Sequence, residues 1–206
     1  MMNKLFGLIA LLALGPAQAE PMLWAVTGKN STVYLFGSVH VLPEGGFAVE
    51  GALAKAYEDA EKVCFEIDTR KLDPAEMTAV TLARAVDPEG RDLFTLLGDA
   101  ADEVRANATR AGVDIAPYAP FEPWFAGLTI SVMALKQHGY DVEHGVEKVV
   151  ETLVSRDDKP SCGLEQIDEQ LAMRDEMPDG QQLELLMQSL EEAAEKCGLL
   201  LARGQT

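Results

Sequence analysis

The sequence predicts an α/β fold: a central, mostly parallel sheet that starts with a β-hairpin and carries a largely helical insert over about residues 73–157. Three observations predict it. Two β-rich runs, Met22 to Thr27 and Thr32 to Val39, flank Gly28-Lys29-Asn30-Ser31, the spacing of a hairpin with a four-residue turn. Val63 to Asp68 (VCFEID) begins with continuous apolar residues, as strands buried on both faces of a parallel sheet do. From Asp73 onward helical periodicity takes over.

Ahead of the hairpin, Met1 to Lys4 supply a short basic start, Leu5 to Gly15 an apolar run, and Ala17-Gln18-Ala19 a small-residue cleavage pattern. That is the grammar of a secretory signal peptide, too short for a permanent span, so residues 1–19 are expected to be removed after Ala19. The mature chain, residues 20–206, is then exported to the periplasm or beyond as one domain with no membrane span. The full 206-residue sequence is 48% apolar and 25% charged, enough to bury a core. Asp and Glu number 34 against 17 Lys and Arg, a net charge of -17, which argues against nucleic acid as a partner.

After the hairpin, Ala48 to Lys62 reads as a helix with Val49, Leu53, Ala56, Tyr57 and Ala60 on one face. Asp73-Pro74 opens a helix to about Val86, with Pro at its first position. Asp99 is placed to cap a helix reaching Arg110, Phe121 to Gln137 is an apolar helix, and Gly145 to Arg156 is another. Lys159 to Glu165 reads as a short strand, followed by helices over Asp168 to Glu176 and Gln181 to Leu201. Asn30 and Asn107 stand in glycosylation sequons.

Cys64 and Cys162 lie in strand-like runs and read more readily as small buried hydrophobes than as a bridge, since strand order decides whether they meet. With Cys197 the count is three, so at least one thiol is free or pairs between chains.

The chemistry-bearing residues gather at strand ends. His40 follows the strand that ends in Gly37, and Gly37 permits close backbone approach there. Glu66 sits in VCFEID, where an unpaired carboxylate is costly, and so turns to the solvated strand end or meets a metal, an imidazole or an arginine. Asp68 alternates onto the same face, and Glu165 repeats the situation after SCGL. In a parallel sheet these groups share one rim, and imidazole with carboxylates suits a divalent metal or a general acid–base pair. Capping and ion pairing explain the carboxylates equally well at this point. His138 and His144, six residues apart, lack the spacing of a helical metal pair and read as a surface loop.

LWAVTGKNSTVYLFGSVHVLPEG, VCFEID, FEPWFAGLTISVMALKQHGYDVEHGVEK and SCGLEQIDEQLAM, in this order, resemble the TraB/GumN family. That family is similar to the Tiki-type metalloproteases and belongs with ChaN-like and erythromycin-esterase-like proteins. The resemblance implies an exported, peptidase-like metallohydrolase using Mn, Co or Zn on a peptide or small-molecule substrate. Gly37 and His40 match its first G-x-x-H, and Glu66 its glutamate. His40 would be metal ligand or base, Glu66 ligand or general base, with Glu165, a second chain or waters completing the set. No second G-x-x-H follows Glu165, so the resemblance implies a C-terminally shortened member. It also implies an alternative, a non-catalytic envelope protein. In that case His40 would be an axial ligand to haem, with Tyr140 or His144 opposite, or the acidic helical insert would dock a partner linked to polysaccharide export. A homo-oligomer fits either reading.

Overall fold

A computed structural model describes residues 22–203. The expected signal peptide and its cleavage point after Ala19 lie outside the described residues. The chain divides after Gly37 into two compact units.

The first unit is the expected hairpin. Strand β1 (Leu23–Thr27) pairs antiparallel with β2 (Thr32–Phe36), from Leu23 opposite Phe36 to Thr27 opposite Thr32. The turn closes with the Gly28 amide donating to the Ser31 carbonyl at 2.8 Å, and the Gly37 amide donates to the Met22 carbonyl at 3.0 Å. Alternation places Trp24, Val26, Val33 and Leu35 on one face, where all four are exposed.

The second unit is dominated by helices. In chain order it holds β3 (Leu42–Pro43), α1 (Gly51–Asp59), β4 (Val63–Phe65), α2 (Pro74–Ala85), α3 (Leu93–Leu97), α4 (Ala101–Ala111) and α5 (Pro123–Gln137). Then follow β5 (Tyr140–Asp141), α6 (Val146–Arg156), β6 (Ser161–Gly163), α7 (Ile167–Asp175) and α8 (Asp179–Arg203). Among the described residues no helix is long and apolar enough to cross a membrane.

Local chemistry explains three of the helix starts, those of α2, α3 and α7. The Asp73 carboxylate accepts from the Ala75 and Glu76 amides at 2.7 and 3.2 Å, and Pro74 supplies the first helical residue of α2. Asp92 caps α3 by accepting from Thr95 at 2.7 Å. Asp99 does not cap α4: it lies within a 3-10 turn that leads straight into the helix. Gln166 and Glu169 form a reciprocal capping box on α7.

The expected central parallel sheet is not formed among the described residues. Among the described residues the strands form three separate two-stranded pairs: β1 with β2, β3 antiparallel to β5, and β4 parallel to β6. The physical reason lies in VCFEID. Its strand is only three residues long, Cys64 is exposed and only Phe65 is buried, because the chain turns away at Glu66 to bury Asp68 in an ion-pair network. Burial is supplied instead by helices. Leu93 and Leu97 of α3, Val104 and Ala108 of α4, Ala126 and Ile130 of α5, and Leu186 and Leu190 of α8 form one core.

Small residues set how closely these helices approach. A Cβ on Gly127 would lie 3.0 Å from the Leu186 Cα and 3.2 Å from its amide nitrogen, backbone atoms that cannot swing aside. Gly127→Ala is therefore expected to push α5 from α8 and to cost about 1 kcal/mol, lowering the melting temperature by about 2–4 °C in a thermal scan. An unchanged or higher melting temperature would contradict the close-approach reading.

The cysteines meet. Cys64 lies opposite Cys162 in the parallel register, Cα to Cα 4.5 Å, and the two form a disulfide rather than serving as separate buried hydrophobes. Lys159 anchors the start of β6 by donating to the Tyr57 carbonyl in the last turn of α1 and, at 2.6 Å, to that of Ala60, which caps the helix. Asn107, in its sequon, is buried and donates to the Met187 sulfur at 3.2 Å, so it is no glycosylation acceptor in the folded chain.

Candidate metal centre

Three chain segments converge on one open cavity of about 280 Å³, lined by His40, Glu66, Glu143, Glu147, Glu151 and Gln170 among others. His40 lies in the turn before β3, Glu66 is the residue after β4, and Glu147 occupies the first turn of α6. One ligand atom from each of His40, Glu66 and Glu147 lies within 4.8 Å of the others.

The approach of α6 to His40 depends on Gly145. A Cβ there would lie 2.2 Å from the His40 carbonyl oxygen and 2.7 Å from its carbon, so only glycine fits. The backbone at Gly145 has φ -60°, which any residue adopts, so the requirement is one of space. Next to it the Val146 amide donates to the Val39 carbonyl at 2.9 Å. This double contact sets the helix end against the histidine. The Glu147 carboxylate then reaches His40 Nδ1 with one oxygen and accepts from the Ser38 hydroxyl at 3.1 Å with the other.

A carboxylate on Nδ1 fixes the imidazole's tautomer and orientation and leaves Nε2 to face a ligand. The His40 side chain is 63% exposed, so Nε2 is accessible. Four residues further along α6, Glu151 is buried. It accepts from Thr69 at 2.6 Å and pairs with Lys148 at 3.5 Å, tying the helix to the segment after β4.

Glu66 and Glu165 are brought together by the parallel pair. The Gln170 amide donates to Glu66 at 3.3 Å and to Glu165 at 2.9 Å. Glu165 reaches the cluster only through Gln170 and Glu66. Gly37 belongs to the hairpin unit, and a Cβ on it would meet Met22 at an ordinary 3.7 Å. Asp68, expected beside Glu66, is withdrawn from the rim. Burial pushes its carboxyl up, but hydrogen bonds from Arg70, Ser161 and Lys71 outweigh that and hold it at about 2. It is an architectural charge that joins β4 to β6.

His138 and His144 are half-buried rather than loop-surface residues. His138 Nδ1 donates to the Ala134 carbonyl at 2.7 Å at the end of α5, and His144 ends the 3-10 turn before α6. The residue of this cluster missed in the sequence is Glu147. Its signal was there, an acid in the first turn of a helix just after a glycine, but acids favour that position for the helix dipole alone.

The donor set, one imidazole nitrogen and two carboxylates, fits Mn, Zn, Co or Fe by ligand type. It also fits a metal-free imidazole–carboxylate pair for proton transfer. Compared with known proteins, residues 22–201 match the family model described as the TraB/PrgY/gumN family. No curated protein and no solved structure matches the chain.

Proposed function

We infer the function from one premise: the chain belongs to the TraB/PrgY/gumN family. It is proposed to be an exported metal-dependent hydrolase of the peptidase-like type, acting on a peptide or small molecule. The observation that carries this reading is the His40–Glu66–Glu147 cluster in an open cavity. His40 Nε2 and the Glu66 carboxylate would hold the ion, with Glu147 either a third ligand or the group that orients His40. A divalent metal held by these residues would supply Lewis-acid chemistry for a carbonyl and for water. The chain's own part is positional. Ser38 steers Glu147, Glu147 steers His40, and Gln170 steers Glu66, whose carboxylate would serve as ligand or, in place of that, as the base that takes a proton from water. Two carboxylates close to His40 favour a divalent cation over haem. The Cys64–Cys162 disulfide supports export, because disulfides persist in oxidising compartments.

Metal analysis of the purified mature chain and Mn²⁺ titration test this. The wild type is expected to take up one equivalent. His40→Ala and Glu66→Ala lose it while circular dichroism stays unchanged, and Glu147→Gln weakens it by about 10–100-fold as orienting partners do. A folded wild type that binds no divalent metal, or alanine variants that bind as well as it does, overturns the proposal.

A further inference from the structure

The two carboxylates shared by Gln170 are held by very little secondary structure. Strands β4 and β6 have three residues each and, among the described residues, pair only with one another, well short of what makes a parallel pair stable by itself. At the centre of that pair stands the Cys64–Cys162 disulfide, two residues before Glu66 and three before Glu165. Beyond it the strand ends are knitted by the Leu164 amide, which donates to the Phe65 carbonyl at 2.9 Å, and the Glu165 amide, which donates to the Glu66 carbonyl at 2.8 Å. The bridge joins residues 98 apart in sequence, so cutting it frees a long loop. Cys64 is exposed and Cys162 half-buried, which leaves the bond open to a thiol.

We propose that the Cys64–Cys162 disulfide is the positioning element of the candidate metal centre, and that its reduction releases Glu66 and switches the site off. The metal part of this inference rests on the proposed function. The thiolate of a dithiol reductant attacks Cys64 Sγ, forming a mixed disulfide and expelling the Cys162 thiolate, which takes up a proton. The reductant's second thiolate then attacks its own sulfur in the mixed disulfide and expels the Cys64 thiolate, which is protonated in turn. The S–S bond of the protein is exchanged for one in the reductant, which supplies two electrons and two protons. With the clamp open, the three-residue pair keeps its backbone bonds and the side-chain ties of Asp68 and Lys71 to Ser161 at the start of β6. It loses its covalent link, and Glu66, Glu165 and Gln170 lose their shared geometry.

The test compares oxidised protein with protein reduced by dithiothreitol and desalted without oxygen, by Mn²⁺ titration and by amide hydrogen exchange. Reduction is expected to weaken Mn²⁺ binding at least tenfold and to speed exchange at Leu164 and Glu165 at least tenfold, while exchange in the α5–α8 core stays constant. A folded Cys64→Ser/Cys162→Ser variant should match the reduced wild type and ignore dithiothreitol. If that variant fails to fold, the reduced wild type decides alone. Equal Mn²⁺ affinity and equal exchange in both redox states overturn the inference. Should the oxidised protein bind no Mn²⁺ at all, the proposed function falls, and exchange at Leu164 and Glu165 still decides whether the disulfide clamps the strands.

Discussion

Gly145→Ala is expected to uncouple α6 from His40, lowering both stability and Mn²⁺ affinity. The new methyl group would lie 2.2 Å from the His40 carbonyl oxygen and 3.1 Å from that of Val142. These are backbone atoms, so the helix end has to withdraw. With it go the Val146–Val39 hydrogen bond and the reach of Glu147 to His40. Overpacking of this kind costs about 1–3 kcal/mol, and displacement of an orienting carboxylate weakens metal binding about 10–100-fold. A thermal scan and an Mn²⁺ titration on the folded variant read the two effects separately. Wild-type values in both would mean that the contact between Gly145 and His40 is not needed to assemble the site.

Stability should fall as pH rises from about 4.5 to about 7, and Glu122 is the cause. This residue precedes α5, is 7% exposed, and its amide donates to the Ala85 carbonyl at 2.8 Å. Burial pushes its carboxyl up to about 7, helped by the negative charge and hydrogen bond of Asp175 and by the charge of Asp87. The folded state therefore holds a proton on Glu122 that the unfolded chain releases near the ordinary carboxylate value of 4.5. Stabilisation is complete below that value and is lost between it and about pH 7, a change on the order of 3 kcal/mol. Glu122→Gln keeps the shape and removes the ionisation. Urea unfolding of wild type and variant at pH 5 and pH 8 should show the variant losing much less stability across that interval. Parallel losses in the two proteins would place the titration elsewhere.

Asp68 works in the opposite direction. Its carboxyl, held at about 2, stabilises the fold above the unfolded value of 3.8, and that contribution is lost as pH falls through both. The two acids thus narrow the range of greatest stability from opposite sides, Asp68 as pH falls from 3.8 to about 2 and Glu122 as pH rises from 4.5 to about 7.

What the sequence determined by itself was whatever depends on near neighbours. The hairpin follows from alternation around a four-residue turn, and α2 from Asp73 followed by Pro74, both complete within a dozen residues. His40 and Glu66 were legible as strand-end groups for the same reason, and the ordered motifs pointed to the family that residues 22–201 match. The tertiary structure alone decided what depends on distant parts of the chain meeting. Glu147 lies 107 residues from His40, and an acid in a first helical turn carries no mark of the histidine it will face. Cys64 and Cys162 became a disulfide only because β4 and β6 are neighbours in parallel register, a pairing no local pattern encodes. The same limit produced the expected central sheet. VCF at the start of VCFEID reads as a buried strand, but how many strands flank it depends on where burial is most favourable. In this chain the apolar faces of α3, α4, α5 and α8 satisfy one another, leaving β4 a single partner and placing the site on a short, disulfide-clamped edge.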